Sequence, residues 1–212
     1  MAKKKNHAAP KYKICISGSA RGRCSTNAIE IAKQLGREVA EHNMVLVNGP
    51  TTGIPYVAAL GAKEAGGITI GISPASSKKE HIRKYQLPTD HLDLIIYTGF
   101  DYSGRNLLLI RSSDAVIFVC GRIGTLNEFT IAFEDKKPIG ILTGTGGITQ
   151  EIRHILNVAK RGRGKIVYDH DPKRLIEKVI KLIKAEEGAI VPANHKIRKK
   201  IRESLTTGQG RG

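Results

Sequence analysis

The residues best placed to do chemistry fall in one run. Ser113-Asp114 leads through the apolar stretch Ala115 to Val119 into Cys120-Gly121-Arg122-Ile123-Gly124-Thr125-Leu126-Asn127-Glu128. An apolar stretch of this length reads as a parallel strand buried on both faces, and its carboxyl end brings the chain to the rim of a sheet. Glycines at that rim let backbone approach a ligand, and the N–H groups that open the next helix attract an anion. The run therefore reads as a phosphate cradle. Two more polar turns follow apolar stretches in the same way. They are Ser17-Gly18-Ser19-Ala20-Arg21-Gly22 after Lys13 to Ser17, and Asn48-Gly49-Pro50-Thr51-Thr52-Gly53 after Met44 to Val47. In a parallel sheet all three turns share one edge. Gly18, Ser19, Gly49, Gly53, Gly121, Arg122, Gly124 and Thr125 are thus the candidate nucleotide- and phosphate-binding residues.

Two familiar nucleotide chemistries are disfavoured. The first turn is not G-x-G-x-x-G, and Asn48-Gly49 closes the second strand where an NAD site would carry an acid for the ribose hydroxyl. A G-x-x-x-x-G-K-[ST] loop is absent as well.

The elements that must position these turns alternate along the chain. Helical spacing of Ile29, Ala32, Leu35, Val39 and Ala40 predicts a helix from about Ser25 to His42. An Ala-rich helix over Ile54 to Ala65 stops at Gly66-Gly67. Strands are expected at Ile68 to Ile72, Leu92 to Tyr97, Pro138 to Leu142 and Ile166 to Tyr168. Further helices are expected at Arg105 to Arg111, Leu126 to Glu134, Ile148 to Lys160 and Pro172 to Glu187, and Pro74 to Thr89 reads as a loop with a short helix. This order implies an α/β fold: a Rossmann-like, doubly wound, mostly parallel sheet with helices on both faces. The division expected is a basic N-terminal extension (1–12), a single nucleotide-binding domain (13–188) and a basic, flexible C-terminal tail (189–212).

Composition narrows the partners. Of 212 residues, 35 are Lys or Arg and 19 Asp or Glu, a formal charge of +16 that favours anions. The basic ends read equally as solubilising tails or as weak binders of polyanions. Cys15, Cys24 and Cys120 have no C-x-x-C spacing, so neither a disulfide nor a structural zinc site is expected, and no cofactor or metal is required. No stretch approaches the roughly 20 apolar residues of a membrane span. A cytoplasmic protein without membrane contact is the expectation.

Gly104-Arg105-Asn106, Ser113-Asp114-Ala115-Val116-Ile117 and Gly121 to Glu128, taken together, resemble the LOG family of lysine decarboxylase-like Rossmann proteins, whose hallmark is P-G-G-x-G-T-x-x-E. Ile16 to Ser19, Val47 to Gly53 and Ala65 to Pro74 support the match, which spans roughly Lys13 to Lys160. The resemblance implies cleavage of the N-glycosidic bond of a nucleoside 5′-monophosphate, giving free base and ribose 5-phosphate, in a homodimer. It makes Glu128 the catalytic carboxylate, Arg105 its partner, and Gly121, Gly124 and Thr125 the holders of the phosphate. A carboxylate beneath the ribose suits an oxocarbenium-like transition state, and a nearby arginine keeps it ionised. Two positions depart from the hallmark: Cys120 stands for proline and Arg122 for the second glycine.

Blander readings of the same residues stay open. Thr125-Leu126-Asn127-Glu128 fits a capping box in which Glu128 reaches back to Thr125, and Arg105 could pair with Asp101 at a helix start. Arg122 could strain the backbone, fill the phosphate site or clamp the anion. Two further functions are therefore weighed: a nucleotide-sensing protein without catalysis, and a nucleic-acid binder similar to the DprA proteins. The lack of Trp and of interleaved aromatic and basic residues counts against the last.

Overall fold

The computed structural model of the chain describes residues 12–21 and 24–188. Seven strands form one sheet: β1 (Lys13–Gly18), β2 (Val45–Asn48), β3 (Ile68–Ser73), β4 (Leu94–Tyr97), β5 (Ala115–Val119), β6 (Ile139–Leu142) and β7 (Ile166–Asp169). All neighbours pair in parallel, in the order β4-β3-β2-β1-β5-β6-β7. The helices between them are α1 (Ala28–Glu41), α2 (Ile54–Glu64), α3 (Lys78–Arg83), α4 (Asp101–Arg111), α5 (Ile123–Glu134) and α6 (Ile152–Val158), and α7 covers residues 172–188.

Period-two alternation in the central strands sorts the helices into two layers. Ile14 and Ile16 of β1 and Ala115, Ile117 and Val119 of β5 pack with α1, α2 and α7 through Leu35, Val39, Ala58 and Val179. Cys15, Val116 and Phe118 face the other way and meet Leu109 and Ile110 of α4, Phe129 of α5 and Ile152 of α6. Every residue of β5 is buried, which is why it reads as a continuous apolar run rather than an alternating one. The doubly wound α/β fold is thus as expected, and its sheet is wholly parallel.

Three local differences have physical causes. The helix expected at 148–160 is split into a 3₁₀ turn, Gly147–Gln150, and the shorter α6. The N–H groups of Ile148 and Thr149 donate to the carbonyls of Gly121 and Cys120, so this backbone serves the β5 loop before it can serve a helix. α5 begins at Ile123 instead of Leu126 and α4 at Asp101 instead of Arg105, which moves Glu128 and Arg105 from helix starts to helix interiors. Tyr12, assigned from sequence to the N-terminal extension, is buried in the core and its hydroxyl donates to Glu187. The rest of both basic ends, residues 1–11 and 189–212, lies outside the described residues.

Candidate functional site

The strand order reverses between β1 and β5, with β2 to β4 on one side and β6 and β7 on the other. Loops leaving two such strands diverge to opposite faces of the sheet and leave a crevice at their carboxyl ends. A cleft of about 500 Å³ occupies that place. The turn after β1 lines it through Gly18, Ser19 and Arg21, the turn after β2 through Gly49 and Thr51, and the turn after β5 through Arg122, Gly124 and Thr125. Arg105 and Glu128 line it from α4 and α5. Eight of the ten residues singled out from sequence therefore meet at one cleft. The other two, Gly53 and Gly121, do not line it. They have φ of +71° and +96°, and they bend the loops whose neighbours face the cleft.

Arg105 is only 6 % exposed. Among the described residues its guanidinium makes one hydrogen bond, Nη1 to the Ile72 carbonyl at 3.5 Å, and stands 5.8 Å from the Tyr102 ring centre. The alternative pairing with Asp101 is not formed; Asp101 accepts from the Tyr85 hydroxyl. Most of the five N–H donors of the guanidinium fork are left for a ligand. Gly49 makes room for the fork, because a Cβ there would lie 1.7 Å from Nη1.

Glu128 does not cap its helix. Its Oε2 accepts a hydrogen bond from the Ser17 hydroxyl at the end of β1, across the switch point. Turning the Asn106 amide so that its nitrogen faces Glu128 Oε1 and the Tyr102 carbonyl places both oxygens at 3.0 Å. Burial raises the pKa of the Glu128 carboxyl, and the Arg105 charge and the Ser17 hydrogen bond offset only part of the rise.

Arg122 occupies ordinary backbone, with φ −133°, so glycine is not needed there and no strain arises. Its exposed guanidinium faces the cleft and donates weakly, at 3.5 Å, to the Arg21 carbonyl. The left-handed residue is Cys120, φ +57°, one position before Gly121. A Cβ at Gly124 would meet nothing within 4 Å, so open space remains over the α5 entrance.

The cysteine reading is corrected. Cys24 and Cys120 form a disulfide, Cα to Cα 5.8 Å, and Cys15 is the free, buried thiol. The two partners stand 96 residues apart in loops that leave adjacent strands, a proximity that only the parallel register of β1 and β5 creates. Ser17, Arg21, Tyr102 and Asn106 are cleft residues that sequence reasoning did not assign to the site. Asn106 adjoins Arg105 and Ser17 ends a strand, but nothing local marks either as a partner of Glu128. Among the described residues no group of three or more His, Cys, Asp or Glu could hold a metal ion, and no helix is long and apolar enough to cross a membrane.

Comparison with known proteins gives concordant matches. The sequence model of the SLOG cluster4 family matches residues 11–176. An uncharacterized protein of Archaeoglobus fulgidus is 36 % identical over 121 residues, 57 % of this chain and 74 % of that one. The molybdenum cofactor carrier protein of Chlamydomonas reinhardtii superposes with a TM-score of 0.68 at 27 % identity, over 82 % of this chain and 99 % of its own. The molybdenum cofactor binding protein of Rippkaea orientalis does so with 0.63 at 31 %, over 82 % and 96 %. DNA processing protein A of Helicobacter pylori, at 20 % identity, TM-score 0.59 and coverage of 82 % and 81 %, shares the fold alone.

Proposed function

The chain belongs to the SLOG cluster4 family, and from that premise we propose that it is a binding protein for a phosphate-bearing heterocyclic ligand, a nucleoside 5′-monophosphate or a molecule built like one. The observation that carries this reading is Arg105, a buried guanidinium with one long protein hydrogen bond, facing a cleft rimmed by three glycine-containing loops. Arg21 and Arg122 add two cations to the lining, against Glu128 as the one acidic side chain there among the described residues. The phosphate would sit at the open entrance of α5, near Gly124 and Thr125, within the reach of Arg122. Exposed Ile123 supplies apolar surface for a flat ring, with Pro55 beside the cleft. The organic part of a molybdenum cofactor, a pterin bearing a phosphate, meets the same donors. The relatives named for binding that cofactor make it a ligand to test beside the nucleotides.

A second reading adds catalysis. Glu128 shares the cleft with Arg105, is held in place by Ser17, and has a pKa raised by burial, the kind of perturbation found at groups that move protons. With a nucleoside 5′-monophosphate in place, its carboxylate would stabilise the oxocarbenium-like transition state and orient water for cleavage of the N-glycosidic bond.

One experiment separates the two. Thermal unfolding and calorimetry with a panel of purine and pyrimidine 5′-monophosphates and with isolated molybdenum cofactor measure binding, and chromatography of the same mixtures measures release of free base. Stabilisation without release supports the binding protein and its best ligand identifies the class. Release that Glu128→Gln abolishes supports the phosphoribohydrolase. No stabilisation by any member refutes both.

A further inference from the structure

The second cavity of interest, about 760 Å³, lies beside β7 at the end of the sheet, with β6 and β5 between it and the switch point. Its floor is half-buried Tyr168 with Leu156 and Ile166 beside it, and its rim carries Arg153, Lys160 and Arg163. Among the described residues no acidic side chain lines it. The Arg153 guanidinium lies over the Tyr168 ring, 4.1 Å from its centre, a cation–π contact.

Several other basic residues are offset by ion pairs, and among the described residues these three are not. Nearby basic residues are engaged: Arg161 with Glu134, Arg111 with Asp135, Lys165 with Glu186, and Arg174 and Lys178 with Asp169. Among the described residues Arg153, Lys160 and Arg163 form no ion pair, although each is exposed and within one cavity. Three like charges gathered without counter-charge repel one another, and an anion relieves that repulsion. An arginine laid over an aromatic ring offers a planar cationic face for a base, and the flanking cations an edge for its phosphate.

We propose that this cavity binds a nucleotide unit, its base stacked on the Tyr168–Arg153 pair and its phosphate held by Lys160 and Arg163, independently of the cleft at the switch point. The unit could arrive as a free nucleotide or as part of a single strand, and the test distinguishes the two. Binding of fluorescein-labelled oligothymidylate of twenty nucleotides to the full chain is followed by anisotropy across a salt series, for wild type, for Arg153→Ala/Lys160→Ala/Arg163→Ala, and for a control of equal charge, Lys173→Ala/Lys181→Ala/Lys184→Ala on the exposed side of α7. The rim variant should bind at least about tenfold more weakly than the control, and its log–log salt slope should be shallower than wild type by about 1.4, from two phosphate-holding cations at about 0.7 each. Tyr168→Leu should weaken the oligonucleotide by about tenfold while leaving inorganic polyphosphate binding unchanged, since only a base uses the ring. Competition by thymidine 5′-monophosphate at its own binding concentration assigns a free nucleotide, and its failure to compete assigns a strand. Equal losses in rim and control variants, no binding by wild type, or loss through Gly49→Ala at the cleft in place of the rim would overturn the proposal.

Discussion

Removing the Cys24–Cys120 bond by Cys24→Ser or by reductant should cost a large part of the stability of this domain. The bond spans 96 residues, and cross-linking a loop of about that length restricts the unfolded chain by about 4.7 kcal/mol at 25 °C on the chain-entropy relation. For a domain of this size each kcal/mol moves Tm by about 2–4 °C, so the fall should be about 9–19 °C. Native contacts barely change in this argument: Cys24 is packed against the core around α1, and serine at that position is close to isosteric. Scanning calorimetry of wild type with and without a dithiol, and of the variant under both conditions, reads the effect. Reduced wild type and the variant should melt together, and reductant should not move the variant. Thiol titration of the denatured, unreduced wild type should find one reactive group, Cys15. Three reactive thiols, or a variant melting within about 2 °C of oxidised wild type, would refute the reasoning. The same bond ties the turn after β1 to the turn after β5, so its loss should also speed release of any ligand held between them.

Other outcomes follow from single contacts. Gly49→Ala puts a Cβ where the Arg105 Nη1 sits, so the guanidinium must swing away. Phosphate-ligand affinity should drop at least about tenfold by calorimetry, the loss of about one charge-assisted hydrogen bond, with little change in Tm. Glu128→Gln should change how stability responds to pH. Burial raises the Glu128 pKa above its unfolded value, so the folded state holds that proton more tightly, and wild type loses stability as pH rises from below the unfolded pKa through the folded one. Glutamine does not titrate, so urea unfolding should show the variant gaining on wild type from pH 4 to pH 8; a constant or reversed gap counts against the buried carboxyl. Gly36→Ala at the α1–α2 crossing would bring a Cβ to 1.9 Å from the Ala58 carbonyl. The helices would be forced apart at a cost of about 1–3 kcal/mol by denaturant unfolding.

Much of this protein was legible before any coordinates. Apolar runs such as Ala115 to Val119 can only be buried strands, their spacing by helical segments dictates a parallel sheet, and glycine turns after parallel strands must share an edge. Those rules are local or topological, so they placed Gly18, Ser19, Gly49, Arg122, Gly124 and Thr125 near one rim, while Arg105 and Glu128 were assigned to it through the family resemblance. The tertiary structure decided what is not local. Thr125 and Glu128 carry the pattern of a capping box, yet an earlier helix start at Ile123 turned Glu128 inward to Ser17, a partner 111 positions away. Cys24 and Cys120 have no telling spacing, but the register of β1 against β5 brings their loops together. Arg105 became a buried cation because Gly49, on a different loop, leaves space for it. Sequence pattern records what each segment needs to bury; which segments meet, and therefore which charges lose water and which pair, is settled only when the sheet is assembled.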